Sequence, residues 1–162
     1  MLLNLKPTNT NRKHFDKLND QQFNNLTMLN NIEHIGIAVK NADESIQLFN
    51  ALFNSKPYKE EAVLSEHVRT VFYKTGETKI ELLQATHEDS AIAKFIDKKG
   101  EGMHHIAFAV NDIYAEIIRL KAEGFVFINE IPKQGADNKL IAFMHPKSSN
   151  GVLIELCQEI KG

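Results

Sequence analysis

One cysteine, Cys157, stands in a chain of 162 residues. That excludes an internal disulfide and leaves no thiolate zinc cluster, and a lone thiol fits a reducing compartment. Charge of one sign is also scarce. A formal net charge of −2 gives no electrostatic footprint for nucleic acid or an anionic membrane. Long apolar runs are missing from residues 1–27, which carry no core of signal-peptide or membrane-span length. What is there is ordinary for a soluble globular protein: 43% hydrophobic and 25% charged residues, at a length suited to one domain or two small halves sharing a core.

Residues 1–27 differ in composition from the rest, being rich in Asn, Lys and Gln. Asp16, Asp20 and a single Arg12 argue against a transit peptide. We expect this segment to be a disordered tail, or to lie upstream of a true start at Met28.

The rest of the chain says the same thing twice. His34-Ile35-Gly36-Ile37-Ala38-Val39 returns as His105-Ile106-Ala107-Phe108-Ala109-Val110, an offset of 71; Ile80-Glu81-Leu82-Leu83-Gln84 returns as Ile154-Glu155-Leu156-Cys157-Gln158, an offset of 74. Such a chain reads as a tandem duplication. In the first strand, large Ile35, Ile37 and Val39 alternate with His34, Gly36 and Ala38, so the two sets face opposite ways. The large face calls for a helix, and the small face leaves room for something else.

A helix follows each copy. The first starts at Asn41 with Glu44 in capping-box position and carries an apolar stripe of Ile46, Phe49, Leu52 and Phe53. The second, over 112–122, places Ile113, Ile117 and Leu120 on one face ahead of Gly124. Residues 61–84 read as two strands, the first from about Ala62 to Tyr73 with a break near Glu66-His67. Ser90 to Lys99 reads as a linker helix closed by Gly100. Strands are predicted over 125–131, 140–145 and 152–158. The fold class is α+β: two tandem βαβββ modules, about 30–86 and 102–159, pairing into one curved eight-stranded sheet. The helices lie on its convex side and a cleft on its concave side.

Two imidazoles and two carboxylates at matched positions suit a divalent metal between the halves. A carboxylate buried among Ile, Leu and Val is costly, and a cation offsets that cost for both. His34, Glu81, His105 and Glu155 are therefore the candidate ligands, and four ligands on an octahedral ion leave two positions for substrate. The donor set does not choose among Co, Zn, Ni, Mn and Fe. His104 has the opposite parity to His105 and is not expected to share an ion with it. His67, His87 and His145 fall at turns or strand ends, Cys157 reads as core, and Arg69, Lys74, Lys139 and Lys147 read as exposed by default.

These residues carry a resemblance. Paired modules with His, Glu, His, Glu on strands resemble the vicinal oxygen chelate (glyoxalase-like) superfamily. Within it, Gly102-Met103-His104-His105-Ile106-Ala107-Phe108 and Phe143-Met144-His145-Pro146-Lys147-Ser148, followed by Gly151-Val152-Leu153-Ile154-Glu155-Leu156, are similar to the methylmalonyl-CoA epimerase family, as is Asp89-Ser90-Ala91-Ile92-Ala93-Lys94-Phe95. The resemblance implies a cytoplasmic homodimer acting on a coenzyme A thioester, with cobalt as the favoured metal and zinc, manganese or nickel as alternatives. It implies His34, Glu81, His105 and Glu155 as ligands, Glu81 standing where some members have Gln. Family proposals add a second acid/base Glu on the strand after the first helix. Here Val68-Arg69-Thr70-Val71-Phe72 holds no carboxylate, and Glu66 is the nearest substitute. The catalytic candidates are accordingly Glu155, Glu81 and Glu66. Two other readings remain open: a glyoxalase I-type lactoylglutathione lyase and a metal-free binding module of the same fold.

Overall fold

The computed structural model describes residues 29–161, so the N-terminal segment 1–27 lies outside the described residues. The strands are β1 (Ile32–Val39), β2 (Lys59–Val63), β3 (Val68–Thr75), β4 (Thr78–Ala85), β5 (Gly102–Ala109), β6 (Lys133–Gln134), β7 (Lys139–Met144) and β8 (Ile154–Glu159). The helices are α1 (Ala42–Phe53), α2 (Ala91–Lys99) and α3 (Ile113–Ala122). All eight strands join one sheet in the order β2-β3-β4-β1-β5-β8-β7-β6, curled around a cleft. Each half runs β-α-β-β-β, and the halves meet where β1 and β5 pair antiparallel.

The duplication extends to register. Gly36 on β1 stands beside Glu81 on the parallel β4, and Ala107 on β5 stands beside Glu155 on the parallel β8. Gly36 and Ala107 follow His34 and His105 by two residues each, so they share their cleft face.

The helices form as their sequences dictate. The Asn41 side chain accepts hydrogen bonds from the Asp43 and Glu44 amides, and its own amide donates to Glu44. Such a cap contributes about 1 kcal/mol. Ile46, Phe49 and Phe53 pack on Val39, Val71, Tyr73 and Leu82. Leu52 does not join this stripe and is 66% exposed. At about 100° per residue it stands some 120° around the helix from Ile46. α3 buries Ile113, Ile117 and Leu120 against Val110, Phe127, Met144 and Leu156, and Gly124 beyond it takes φ +93°, which glycine adopts without strain.

Three features differ from the sequence reading. The helix α2 packs Ile92 against Ala38, Val68 and Leu83, on the cleft side rather than the convex side. It therefore covers one end of the cleft. The stretch read over 62–73 does break near Glu66-His67, but the break is a full reversal into a hairpin, turned by a single helical turn at Leu64–Glu66 and by His67 at φ +54°. Finally, 125–131 is not a strand. Phe127 makes one bridge to Met144, while Val126, Ile128 and Ile131 stay exposed. Pro132 offers no amide to a ladder, and the edge strand β6 begins only after it, pairing Lys133 and Gln134 with Ile141 and Leu140.

Candidate metal centre and cleft

The four predicted residues meet at the seam of the halves. His34 Nε2 and His105 Nε2 are 2.9 Å apart. Glu81 Oε2 lies 3.3 Å from the first and 3.6 Å from the second. Glu155 Oε1 lies 3.9 Å from His34 Nε2, and Glu155 Oε2 lies 3.3 Å from His105 Nε2. All four side chains are buried. Their strands explain the convergence: β1 and β5 bring the imidazoles, and β4 and β8, one on each side, bring the carboxylates. Gly36 makes room, since a Cβ there would overlap the His105 ring.

Two residues missed in the sequence complete the geometry. The β1–β5 ladder is irregular at two places, each leaving one residue extra: Glu33 on β1 and His104 on β5. Both immediately precede a site histidine, so the bulge is duplicated too. A bulge cancels simple alternation. Glu33 Oε2 thus lies 2.5 Å from His34 Nδ1, and His104 Nδ1 lies 2.9 Å from His105 Nδ1. Glu33 also accepts from Lys79 and sits 3.5 Å from Lys139 Nζ. Lys139 is 7% exposed, against the expectation that it would be a surface lysine. Phe72 stands opposite Glu81 across β3–β4, and Phe143 opposite Glu155 across β7–β8, so an aromatic ring walls each carboxylate.

The remaining candidates are placed differently. Glu66 lines the cleft but is ion-paired with Lys133, and it comes within 4.0 Å of neither His34 nor His105. β3 turns Val68, Thr70 and Phe72 into the cleft, so no carboxylate comes from that strand. Arg69 binds Glu60 and Asp43, the rings of His67 and His87 pack together, and His145 caps a short helical turn. Cys157 is buried with its thiol pKa pushed up by burial and by Glu155.

Without a cation the centre is electrostatically awkward. Burial, joined by Glu81, pushes Glu155 up to about 8 against the pull of His34, and burial likewise raises Glu81. Burial opposes a charge on His34, yet Glu81, Glu33 and Glu155 together bring it up to about 9. His105 is held well below its ordinary value by burial and by His34. Glu33 is the exception: burial works against its charge, but the bonds from His34 and Lys79 outweigh it and hold the carboxyl at about 2.

The residues fit a divalent cation. Donor atoms about 2.1 Å from one ion stand roughly 3–3.4 Å apart, close to most of the separations here. Both Nδ1 atoms are engaged elsewhere, leaving both Nε2 atoms facing the gap. Five carboxylates line the cleft (Glu33, Glu66, Glu81, Asp137 and Glu155) against Lys133 and Lys139. With neutral imidazoles the lining groups carry a formal excess of negative charge, which a bound cation would offset. The cleft above has a volume of about 310 Å³ and is walled by Val68, Leu83, Ile92, Ile141 and Phe143, enough for an acyl group.

The chain belongs to the Glyoxalase/Bleomycin resistance protein/Dioxygenase superfamily, whose family model matches residues 33–143. Several of its relatives are epimerases. The mitochondrial methylmalonyl-CoA epimerase of Homo sapiens is 37% identical over 141 residues, covering 86% of this chain and 80% of that protein. The ethylmalonyl-CoA/methylmalonyl-CoA epimerase of Cereibacter sphaeroides is 35% identical over 133 residues, covering 81% and 99%. Among solved structures, a variant of the Streptomyces coelicolor methylmalonyl-CoA epimerase in complex with 2-nitronate-propionyl-CoA superposes with a TM-score of 0.77 at 33% identity, covering 82% of this chain and 96% of that one.

Proposed function

We propose that this chain interconverts the (R) and (S) epimers of methylmalonyl-CoA, using a divalent cation held by His34, Glu81, His105 and Glu155. Kinship with epimerases supports the reaction. The observation that carries it is the pair Glu81 and Glu155. They come from the two strands flanking β1 and β5, and each approaches an imidazole to 3.3 Å. A stereocentre inverts only if one group removes a proton from one face and another returns it on the opposite face.

In this reading the Glu155 carboxylate takes the proton from the carbon between the thioester and the carboxylate. The C–H electron pair moves into the thioester carbonyl. The carboxyl of Glu81 then returns a proton to the other face, and the roles reverse for the opposite epimer. A bound divalent cation would supply Lewis-acid stabilisation of the charge growing on the thioester oxygen. Phe72, Phe143 and Ile92 exclude water, which strengthens these electrostatic interactions. Glu66, held by Lys133 at the wall, is the reserve proton carrier on this scheme.

Cobalt is the favoured ion, with zinc, manganese and nickel as alternatives. A homodimer is supported by exposed Leu48 and Leu52 on α1, and a cytoplasmic site by the single free thiol. Among the described residues no helix is long and apolar enough to cross a membrane. The test is deuterium exchange at C2 of methylmalonyl-CoA. Wild type should exchange it in both epimers, Glu155→Gln should nearly abolish exchange in the epimer whose C2 proton faces Glu155, and chelation should silence the enzyme until cobalt is restored. Full exchange by Glu155→Gln rules out its role. Turnover of the methylglyoxal–glutathione hemithioacetal instead would assign the chain to lactoylglutathione lyases.

A further inference from the structure

A histidine can present either ring nitrogen to a ligand, and which one is free depends on what the other touches. In this centre that choice is made twice, at equivalent positions, by residues that strand alternation alone would have turned away. We propose that Glu33 and His104 are positioning residues that fix the proton of each site imidazole on Nδ1 and so direct both Nε2 lone pairs at one shared cation. The inference rests on the metal-centre reading above.

The two halves do this with different chemistry. An ionised carboxylate only accepts, so the 2.5 Å contact from Glu33 Oε2 requires the hydrogen on His34 Nδ1. Glu33 is itself held by Lys79 of the first half and Lys139 of the second, which fixes the carboxylate at the seam. On the other side the acceptor is a ring. For His105 Nδ1 to donate across 2.9 Å, His104 Nδ1 must accept, which places the His104 hydrogen on its Nε2. His104 is steadied by its edge-on packing with Phe95 of α2, ring centroids 4.9 Å apart. An anion therefore backs one imidazole and a neutral ring backs the other, and the bulges that bring them in are what the duplicated strand has preserved in both copies.

The test is zinc(II) affinity of the whole chain, measured by competition with a chromophoric chelator and without substrate. Loss of an outer-shell partner of this kind lowers metal affinity 10–100-fold. Glu33→Leu should fall in that range. Glu33→Gln, which still accepts from Nδ1 but carries no charge, should lose less, and His104→Phe should lose less than Glu33→Leu. Because Glu33→Leu strands two lysines, Glu33→Leu with Lys79→Met repeats the measurement with one of them neutralised, and His104→Phe lies outside that ion network. Zinc affinity within twofold of wild type in both Glu33→Leu/Lys79→Met and His104→Phe overturns the proposal, even if melting temperatures drop. A wild type that binds zinc tightly but leaves methylmalonyl-CoA untouched sinks the epimerase reading and leaves this one standing.

Discussion

Asp137 reaches from the second half of the chain to Lys79 in the first, its Oδ2 lying 2.7 Å from the ammonium. The same carboxylate takes Lys59 at 3.0 Å, and the Asp137 amide donates to Glu61. Lys59 and Glu61 sit on β2, one edge of the sheet, while Asp137 tops the hairpin that includes β6, the other edge. One residue thus ties together the two ends of an eight-strand curl and narrows the mouth of the cleft.

Removing that tie should loosen the fold in a pH-dependent way. Burial opposes the charge on Asp137, but Lys79 and Lys59 outweigh it and hold its pKa below the ordinary value. A depressed carboxyl contributes stability above its unfolded pKa and loses it as pH falls through the folded one. Asp137→Asn should therefore cost about 1 kcal/mol at neutral pH, allowing for partial exposure. In melting experiments the gap from wild type should shrink below about pH 4. A constant gap from pH 7 to pH 2 would exclude the ion pairs as its source.

Gly36 has no substitute. A Cβ at this position overlaps the His105 ring, with Cε1, Nδ1 and Nε2 all in the way. Gly36→Ala should displace His105, lower cation affinity by at least tenfold and cost about 1–3 kcal/mol from overpacking. Calorimetric titration with cobalt(II) and urea unfolding would measure the two effects. Wild-type values in both would mean that the ring can retreat freely.

Uptake of the cation should expel protons. The protein groups alone hold Glu155 at about 8 and His34 at about 9, so near pH 7 each carries a proton that a metal ligand must give up. Titration with zinc(II) at pH 7 in buffers of differing ionisation enthalpy should show net proton release. The release should decline as the pH is raised past 8 and again past 9. Binding with no proton exchange at pH 7 would contradict Glu155 as a ligand.

Glu81→Gln separates the two carboxylates. If Glu81 returns the proton on the second face, this variant should retain a cation centre yet lose about 10²–10⁴-fold in epimerisation. Glu155 would still wash deuterium into one epimer. Unimpaired epimerisation would transfer the second role to Glu66, and Glu66→Gln would then be the variant that fails.

The large features were legible because they obey simple periodicity. The repeat at offsets of 71 and 74 gave the two modules, and the small-residue faces gave His34, His105, Glu81 and Glu155 as a group. What escaped did so where the period breaks. Glu33 and His104 were hidden by bulges, which no alternation pattern reports. The stretch 125–131 alternates like a strand but is anchored by Phe127 alone, whereas the real edge strand is two polar residues long. Lys139 follows composition rules for a surface residue and is buried only because Glu33 and Glu159 await it.

The antiparallel seam of β1 with β5 sets two unlike flanks face to face. Half of this polypeptide offers one imidazole and one carboxylate, so two identical halves would surround an ion with two indistinguishable flanks. Fusion into a single chain lifts that constraint. Glu33 stands behind one ring and His104 behind the other, so the approaches to the ion are related in shape but unlike in charge. The two ends of an unsymmetrical ligand are thereby told apart, one flank carrying an anion and the other a neutral ring.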